Sequence, residues 1–528
     1  MTLGFLGRFQ PRHSRSCLEA VVVWFRKWMI LTHRWLGIVL SLLFVGWFAS
    51  GIAMIYTGGM PSLGREERLE KLPALDLSQV RVTASGAAQT AELGGPPAGV
   101  ILLNVMDRPA YRFLGREQAT VFADTGEILE EVGQAEALTI ASRFMNLQKE
   151  RLHYAGLLTE PDQWTITERH QLPMHKITVD DGARTELYVS EQSAEVGLQT
   201  TRGSRALAWV AAIPHWLYLT PLRVRGELWT RVVIWTSGAG AILAALGIVL
   251  GMIQFSANKP HIPYAGWMRW HYITGVIFGL FTLTWVFSGL LSMEPWNWAS
   301  GGGSGAGMRQ AFTGGALDLS SFPAVDKVAW DHMLPGREIK EIEFLWIQGE
   351  AYYAVRGVEP RPVLVSAHPL QIRREPFSME SLMQRVKQGN PDVAIAESQV
   401  LANYDSYYYA RGQERPLPVL RVKFADPHGT WFYIDPKMSQ VVARFTHRQR
   451  VERWIYHGLH SLDFSFWYYN RPLWDIGMIV LSLGGLTSSG IGLYIGLKRV
   501  LRHVRRFARN LAPVPAGKSN RVGPGSPK

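Results

Sequence analysis

The chain has 528 residues, 47% of them hydrophobic and 19% charged, so it is too long for one ordinary domain and leans away from a purely soluble protein. Its formal net charge of +12 would indicate a nucleic-acid partner only if the cations were spread over one soluble face. The single cysteine, Cys17, excludes an internal disulfide framework, Cys-rich zinc sites, iron–sulfur clusters and covalently attached c-type haem.

Four uncharged segments predict transmembrane helices. A helix that crosses a bilayer needs about 20 apolar residues, and it is the single-segment structure that satisfies its own backbone in hydrocarbon. Any one such run could instead be a buried helix of a large soluble core, but four rarely coincide. The segments are 35–56, 232–255, 272–293 and 476–497.

The cations flank these segments unevenly. The stretches before the first, between the second and third, and after the fourth hold seventeen Lys and Arg against one acid, Glu19. By the positive-inside rule, both termini and the short loop face the cytoplasm of a bacterial inner membrane. The charge therefore indicates contact with membrane lipid, and no nucleic-acid partner is expected. The first span is too long for a cleaved signal peptide, so we expect an uncleaved anchor.

The chain also contains an internal duplication. The span that begins at His33 aligns with the span that begins at His271, and the regions that follow repeat in the same order about 240 residues apart. Both copies would cross in the same direction, which predicts a parallel repeat. The matched positions include Gly37 and Gly275, Trp47 and Trp285, Ser50 and Ser288, Gly51 and Gly289, Leu172-Pro173 and Leu417-Pro418, Thr185 and Thr430, and His215 and His457.

Alternating apolar patterns in the two long connecting regions predict short strands, with helical stretches between them. The predicted fold class is therefore a multi-pass α-helical membrane protein, with four transmembrane helices in two parallel repeats and two periplasmic α+β modules. The expected segments are a cytoplasmic N-terminus (1–30), transmembrane helix (31–57), periplasmic module (58–228), transmembrane helix (229–255), cytoplasmic loop (256–270), transmembrane helix (271–293), periplasmic module (294–471), transmembrane helix (472–497) and basic cytoplasmic tail (498–528).

Histidines at the predicted membrane edges are the candidate ligands. His33 and His271 begin equivalent spans, and each is followed four residues later by Gly37 or Gly275, where a flat group can approach the helix. His215 and His457 precede the other two spans, and His460 lies one helical turn beyond His457.

Histidine near a membrane core tends to face the bundle interior for a function, and matched pairs predict two bis-histidine sites for haem b. The pairs are His33 with His271, and His215 with either His457 or His460. Each histidine taken alone could be an interfacial residue bonded to backbone or lipid. Zinc is a weaker candidate, because the sites lack the clustered Cys, carboxylate and further His of a tetrahedral centre.

The motifs resemble those of the PepSY-associated transmembrane helix family over roughly residues 26–500. The resemblance is carried by the His-Arg-Trp-Leu-Gly start at His33, by Thr430-Trp-Phe-Tyr-Ile-Asp-Pro436 and by Tyr456-His-Gly-Leu-His-Ser-Leu-Asp-Phe464. It implies PepSY-like modules and a haem-containing oxidoreductase that reduces ferric siderophore in the periplasm for iron uptake. The first half departs from this pattern, because Tyr218 stands where His460 would correspond.

The resemblance implies one-electron transfer from quinol or a cytoplasmic donor to the siderophore, with release of Fe(II), which hard oxygen chelators hold less tightly than Fe(III). Two alternatives stay open. The external regions could be binding or inhibitory modules for a periplasmic peptidase or envelope partner, without redox chemistry. A haem protein could also serve another acceptor, such as copper or a periplasmic redox partner.

Overall fold

The computed structural model describes residues 13–116, 118–258, 261–299, 305–411 and 414–511. The outer parts of the predicted terminal segments, 1–12 and 512–528, lie outside the described residues. The helices are α1 (His13–Met54), α2 (Arg65–Lys71), α3 (Ala84–Thr90), α4 (Gln134–Met145), α5 (Arg202–Val210), α6 (Ala212–Trp216), α7 (Thr220–Arg223), α8 (Gly226–Ile253), α9 (Gly266–Leu291), α10 (Ala306–Thr313), α11 (Lys327–Met333), α12 (Met379–Gly389), α13 (His447–Arg453), α14 (Leu459–Ser461), α15 (Ser465–Tyr468) and α16 (Leu473–Leu511).

The strands alternate with these helices in two long stretches of the chain. They are β1 (Gly99–Val105), β2 (Arg108–Leu114), β3 (Ala119–Phe122), β4 (Leu152–Leu158), β5 (Met174–Val179), β6 (Glu186–Ser190), β7 (Val196–Thr200), β8 (Glu341–Ile347), β9 (Glu350–Arg356), β10 (Val363–Ser366), β11 (Gln371–Ile372), β12 (Ile395–Leu401), β13 (Val419–Phe424), β14 (Trp431–Asp435) and β15 (Gln440–Phe445).

The chain divides into two compact units. We call the first the helical unit; it comprises Met1–Ala49, Trp235–Phe287 and Ile476–Lys528. The second, the sheet unit, comprises Ser50–Ile234 and Ser288–Asp475.

Among the described residues, α1, α8, α9 and α16 are the helices that are long and apolar enough to cross a membrane. Their most apolar windows have mean hydropathies between 1.6 and 2.1. Even the shortest, α9 with 26 residues, spans about 39 Å at 1.5 Å per residue, more than the ~30 Å hydrocarbon core. Large apolar side chains such as Val39 and Trp235 are 73% and 76% exposed, as expected of a surface that faces lipid.

In the described part of the sheet unit the strands form three antiparallel sheets. The largest has seven strands in the order β11-β10-β9-β8-β1-β2-β3, and the others are the four-stranded sheets β4-β5-β6-β7 and β12-β13-β14-β15. In the large sheet β1 pairs with β8, with Val100 opposite Phe344. Its core is aromatic: the ring centres of Phe344 and Tyr353 lie 5.1 Å apart, and both residues are buried.

The predicted fold class is wrong. The described residues are 48% helical and 18% strand, and they combine four apolar helices with sheet-rich domains instead of forming an α-helical multi-pass protein. The two predicted modules share a sheet, because β1 from 58–228 and β8 from 294–471 are neighbours in it. The unpaired backbone groups of each edge strand are satisfied by the strand from the other half of the chain.

The two four-stranded sheets lead into the segments that carry the candidate outer histidines. β7 is followed by α5 and β15 by α13, and both helices begin with a capping box, at Thr201 and Thr446. In each box the threonine side chain accepts from a backbone N–H in the first turn, and the third helical residue bonds back to the threonine N–H. These caps fix the direction in which the chain leaves each sheet.

Candidate haem-binding histidine pairs

The inner pair consists of His33 on α1 and His271 on α9, both in the helical unit. Their ring centres are 6.3 Å apart and their planes meet at 43°. With metal–nitrogen bonds of about 2.0–2.1 Å, two imidazoles on opposite sides of one metal ion have ring centres roughly 6 Å apart. The spacing therefore fits a single metal ion held between the two rings.

Each ring of the inner pair is anchored to a main-chain carbonyl of a neighbouring helix. Nδ1 of His33 lies 3.1 Å from the oxygen of Leu243 on α8, and Nδ1 of His271 lies 3.2 Å from the oxygen of Ser488 on α16. A carbonyl oxygen only accepts, so Nδ1 carries the hydrogen in both rings. In a neutral imidazole the lone pair is then on Nε2, the tautomer that ligates a metal through that nitrogen.

Two glycines make room for these rings. Gly247 and Gly492 each follow the accepting residue by four positions, on α8 and α16. A Cβ at Gly247 would lie 2.9 Å from Cε1 of His33, and one at Gly492 would lie 3.2 Å from Cε1 of His271. The rings therefore pack against bare helix backbone. The sequence predictions missed both glycines, although their matching positions in the duplicated helices were a usable signal.

A cavity of about 340 Å³ opens beside the inner pair and is lined by both histidines. This volume falls within the range of roughly 300–1,000 Å³ that is typical of ligand sites. Gly37 and Gly275 line it, as expected for a flat group lying against those helices. Five further glycines share the wall, which leaves the helix backbones accessible: Gly247, Gly251, Gly279, Gly492 and Gly496.

Two cations, Arg34 and Arg499, also line this cavity. Within the part of the chain that the structure describes, neither forms a salt bridge with an acidic side chain. A ligand that enters the cavity therefore meets two guanidinium groups that can bind carboxylates. This charge favours an anionic ligand over a bare metal cation.

The outer pair consists of His215 on α6 and His460 on α14, both in the sheet unit. Their ring centres are 6.1 Å apart, with the planes at 72°. Nδ1 of His215 lies 3.2 Å from Oγ of Ser50, and Nδ1 of His460 lies 3.1 Å from Oγ of Ser288. The outer pair thus has nearly the same spacing as the inner pair and also holds each ring through Nδ1.

Matching glycines again adjoin the rings of the outer pair. A Cβ at Gly51 would lie 3.5 Å from Cε1 of His215, and one at Gly289 would lie 3.8 Å from Cε1 of His460. These are ordinary contact distances, so the outer rings are less tightly enclosed by backbone than the inner ones.

His457, the other candidate for the outer pair, has different partners. Its Nδ1 accepts a hydrogen bond from Nη1 of Arg411, so its neutral ring carries hydrogen on Nε2. A ring that binds a metal through Nε2 must carry its hydrogen on Nδ1 instead, so His457 has the wrong tautomer for this role. Burial and the adjacent Arg411 guanidinium lower the pKa of His457 to about 4.

The local backbone explains why His457 and His460 separate. His457 lies in a π-helical turn, Trp454–Gly458, and His460 lies in the α-helical turn that follows. A π turn is wider than an α turn, so residues three apart across it no longer share one face. Tyr218, which corresponds to His460 only when His215 is aligned with His457, packs against Trp216 and Trp229.

A buried polar cluster surrounds His457. Asp463 is 1% exposed; its carboxylate accepts from the Tyr409 hydroxyl at 2.6 Å and lies 3.7 Å from Arg411 and 3.6 Å from Arg453. Burial and the Asp463 carboxylate raise the pKa of Tyr409 to about 12. His457 therefore contacts this ion-pair network through Arg411, whereas the ring that adjoins His215 is that of His460.

The donor set of both pairs is two imidazoles. No group of three or more His, Cys, Asp or Glu side chains that could hold a metal ion is found among the described residues. A tetrahedral zinc centre needs four ligands, usually all from the protein, whereas haem needs only axial ligands because the porphyrin supplies the other four nitrogens. The two pairs therefore fit haem. No protein-family model matches the chain, and no curated protein matches it either.

Proposed function

We propose that this protein is a membrane oxidoreductase that binds two haem b groups, one between His33 and His271 and one between His215 and His460. The observation that carries the proposal is the matched geometry of the two pairs. Their ring centres are 6.3 and 6.1 Å apart, and all four rings are held through Nδ1. An anchor for an external binding module would need neither feature.

Haem, when bound, supplies a one-electron redox couple. The protein contributes rings that are already oriented, because each Nδ1 has a fixed partner before a ligand binds. It also contributes Arg34 and Arg499, which can pair with the two carboxylates of the porphyrin. His33 with His271, and His215 with His460, would hold the two groups, and electron transfer to the substrate would then need no direct bond between the haem iron and the substrate.

We propose ferric siderophore as the electron acceptor, with haem b as the cofactor. Support comes from the resemblance of the His33, Thr430 and Tyr456 motifs to the PepSY-associated transmembrane helix family. One electron converts Fe(III) to Fe(II) in the bound complex, and the siderophore then holds the metal less tightly. Quinol or a cytoplasmic reductant would supply the electron, and quinol would serve two such reductions while releasing two protons.

We further propose a bacterial inner membrane as the location, with both termini in the cytoplasm. The support is the concentration of Lys and Arg next to four helices that are apolar enough to span a bilayer. Cys17 is the single cysteine and gives a native probe. A membrane-impermeant maleimide should label it in inverted vesicles and leave it unlabelled in intact spheroplasts; the reverse pattern would refute this orientation.

The electron acceptor is tested with the purified protein in detergent, reduced without oxygen. Mixing with ferrioxamine and an Fe(II)-trapping chelator should reoxidise the haem and form the coloured Fe(II) complex. His215→Ala should abolish most of this reaction, whereas the control His332→Ala, which alters an exposed histidine of α11, should leave it unchanged. A haem-loaded protein that never reduces ferrioxamine would exclude this acceptor.

A further inference from the structure

The inner and outer histidine pairs are anchored by different kinds of acceptor. His33 and His271 face main-chain carbonyls, at 3.1 and 3.2 Å. His215 and His460 face the hydroxyls of Ser50 and Ser288, at 3.2 and 3.1 Å. Substitution of a side chain cannot remove the first kind of acceptor, but it removes the second.

The two kinds of acceptor also differ chemically. A carbonyl oxygen only accepts, so it fixes the hydrogen on Nδ1 wherever this hydrogen bond is made. A hydroxyl can donate or accept, so it supports the ligating tautomer only when its own hydrogen points away from the ring. The tautomer of the outer rings, unlike that of the inner rings, therefore depends on how two serine hydroxyls are oriented.

We propose that Ser50 and Ser288 are positioning residues that set the reduction potential of the outer haem. An Nδ1–H group that donates a hydrogen bond makes its imidazole a better electron donor through Nε2. Stronger donation stabilises Fe(III) relative to Fe(II) and lowers the potential. This inference rests on the proposed function, because it requires haem between His215 and His460.

The burial of Ser50 and Ser288 and their matching positions support their role in positioning the outer histidine rings. Ser50 is 1% exposed and Ser288 is 0% exposed, so bulk water does not reach either hydroxyl. They occupy matching positions of the duplication, and each is followed by a glycine, Gly51 or Gly289, whose Cα faces the same ring. When the hydroxyl is removed, the Nδ1–H group loses this hydrogen bond beside a buried residue, and electron donation by the ring falls.

The inference is tested by optically monitored redox titration of the purified holoprotein. Ser50→Ala and Ser288→Ala should each raise the potential of the outer haem and leave the inner one unchanged. Ser50→Thr and Ser288→Thr, which keep the hydroxyl, should retain the original potentials. His460→Ala, which keeps only the inner pair, identifies which potential belongs to which haem.

Ser482→Ala is the matched control, because Ser482 is also a buried serine, 4% exposed, and belongs to α16 in the helical unit. Loss of the outer haem in the alanine variants, with retention in the threonine variants, would support the same positioning role. Two haems with potentials that the alanine variants do not move would overturn this inference alone. A purified protein without a b-type haem would overturn the proposed function itself.

Discussion

At the scale of single residues, the partner of Nδ1 decides what each histidine can do. In His33 and His271 the partner is an acceptor and leaves the lone pair on Nε2, whereas in His457 it is the donor Arg411. The sequence predicted the inner pair and left the outer choice between His457 and His460 open. The structure brings His460, not His457, to His215.

A signal for that choice was present in the duplication. Thr185 and Thr430 are 245 residues apart, as are the two Leu-Pro motifs and also His215 and His460. His457 is only 242 residues from His215 and does not fit this register. What the sequence could not provide is the π turn that separates His457 from His460, because it depends on tertiary packing of the segment.

Removal of the two neighbouring histidines should have opposite effects on haem content. His460→Ala should leave one haem per chain, because the outer pair loses a ligand. His457→Ala should retain two, because His457 does not face His215. The measurement is haem per protein by the pyridine haemochrome method, and retention of both haems by His460→Ala would contradict the assigned pairing.

His457 should also make stability depend on pH. Its pKa is lowered from 6.5 to about 4, first by burial and then by Arg411, so the unfolded chain binds a proton more readily than the folded one. Arg453 and Asp463 also face this ring, with opposite effects on its pKa. The neutral His457 ring therefore makes its full contribution to the free energy of unfolding above pH ~6.5. That contribution, at most about 3 kcal/mol, is lost as the pH falls toward 4.

His457→Gln tests this dependence, since its amide oxygen can still accept from Arg411. Thermal unfolding in detergent should show that the unsubstituted protein loses more stability between pH 6.5 and 4.5 than the variant does. Equal losses in the two proteins would mean that His457 is not the group responsible.

At the scale of helices, the inner site depends on the close approach of an imidazole to helix backbone. Apolar length alone predicted α1, α8, α9 and α16, because a chain in hydrocarbon must satisfy its backbone internally. It could not predict which faces meet, so Gly247 and Gly492 became visible only when the rings of His33 and His271 were seen against them.

Gly247→Ala should therefore displace His33 and weaken or abolish the inner haem, because the added Cβ would lie 2.9 Å from Cε1. Gly238→Ala on the same helix is the control, since a Cβ there meets nothing within 4 Å. The optical spectrum of each purified variant measures the effect. Equal haem content in the two variants would show that the ring does not need this glycine.

At the scale of the whole chain, alternating patterns predicted strands but not their partners. Local alternation shows which face of a strand is buried, whereas pairing of β1 with β8 is decided by segments more than 200 residues apart. Two modules were therefore expected, without the sheet that strands from both of them share. Arg68 on α2 also connects the two halves of the chain, because it forms salt bridges with Glu195 and with Glu341 on β8.

Arg68→Met should destabilise the sheet unit, because Glu341 is 4% exposed and would be left without that cation. Loss of one partner from a buried ion pair costs about 3–5 kcal/mol. Arg65→Met, an exposed position of the same helix, should change little. Denaturant unfolding followed by tryptophan fluorescence compares them, and equal midpoints would refute the role given to Arg68.

The central claim is that two histidine pairs hold two haem groups. The most direct test is the combined optical and EPR spectrum of the purified protein and of its His33→Ala and His215→Ala variants. We predict a b-type spectrum with two low-spin bis-histidine signals, of which each variant loses a different one. A protein purified from haem-sufficient cells without any b-type absorption, or with a spectrum that neither substitution changes, would contradict the claim.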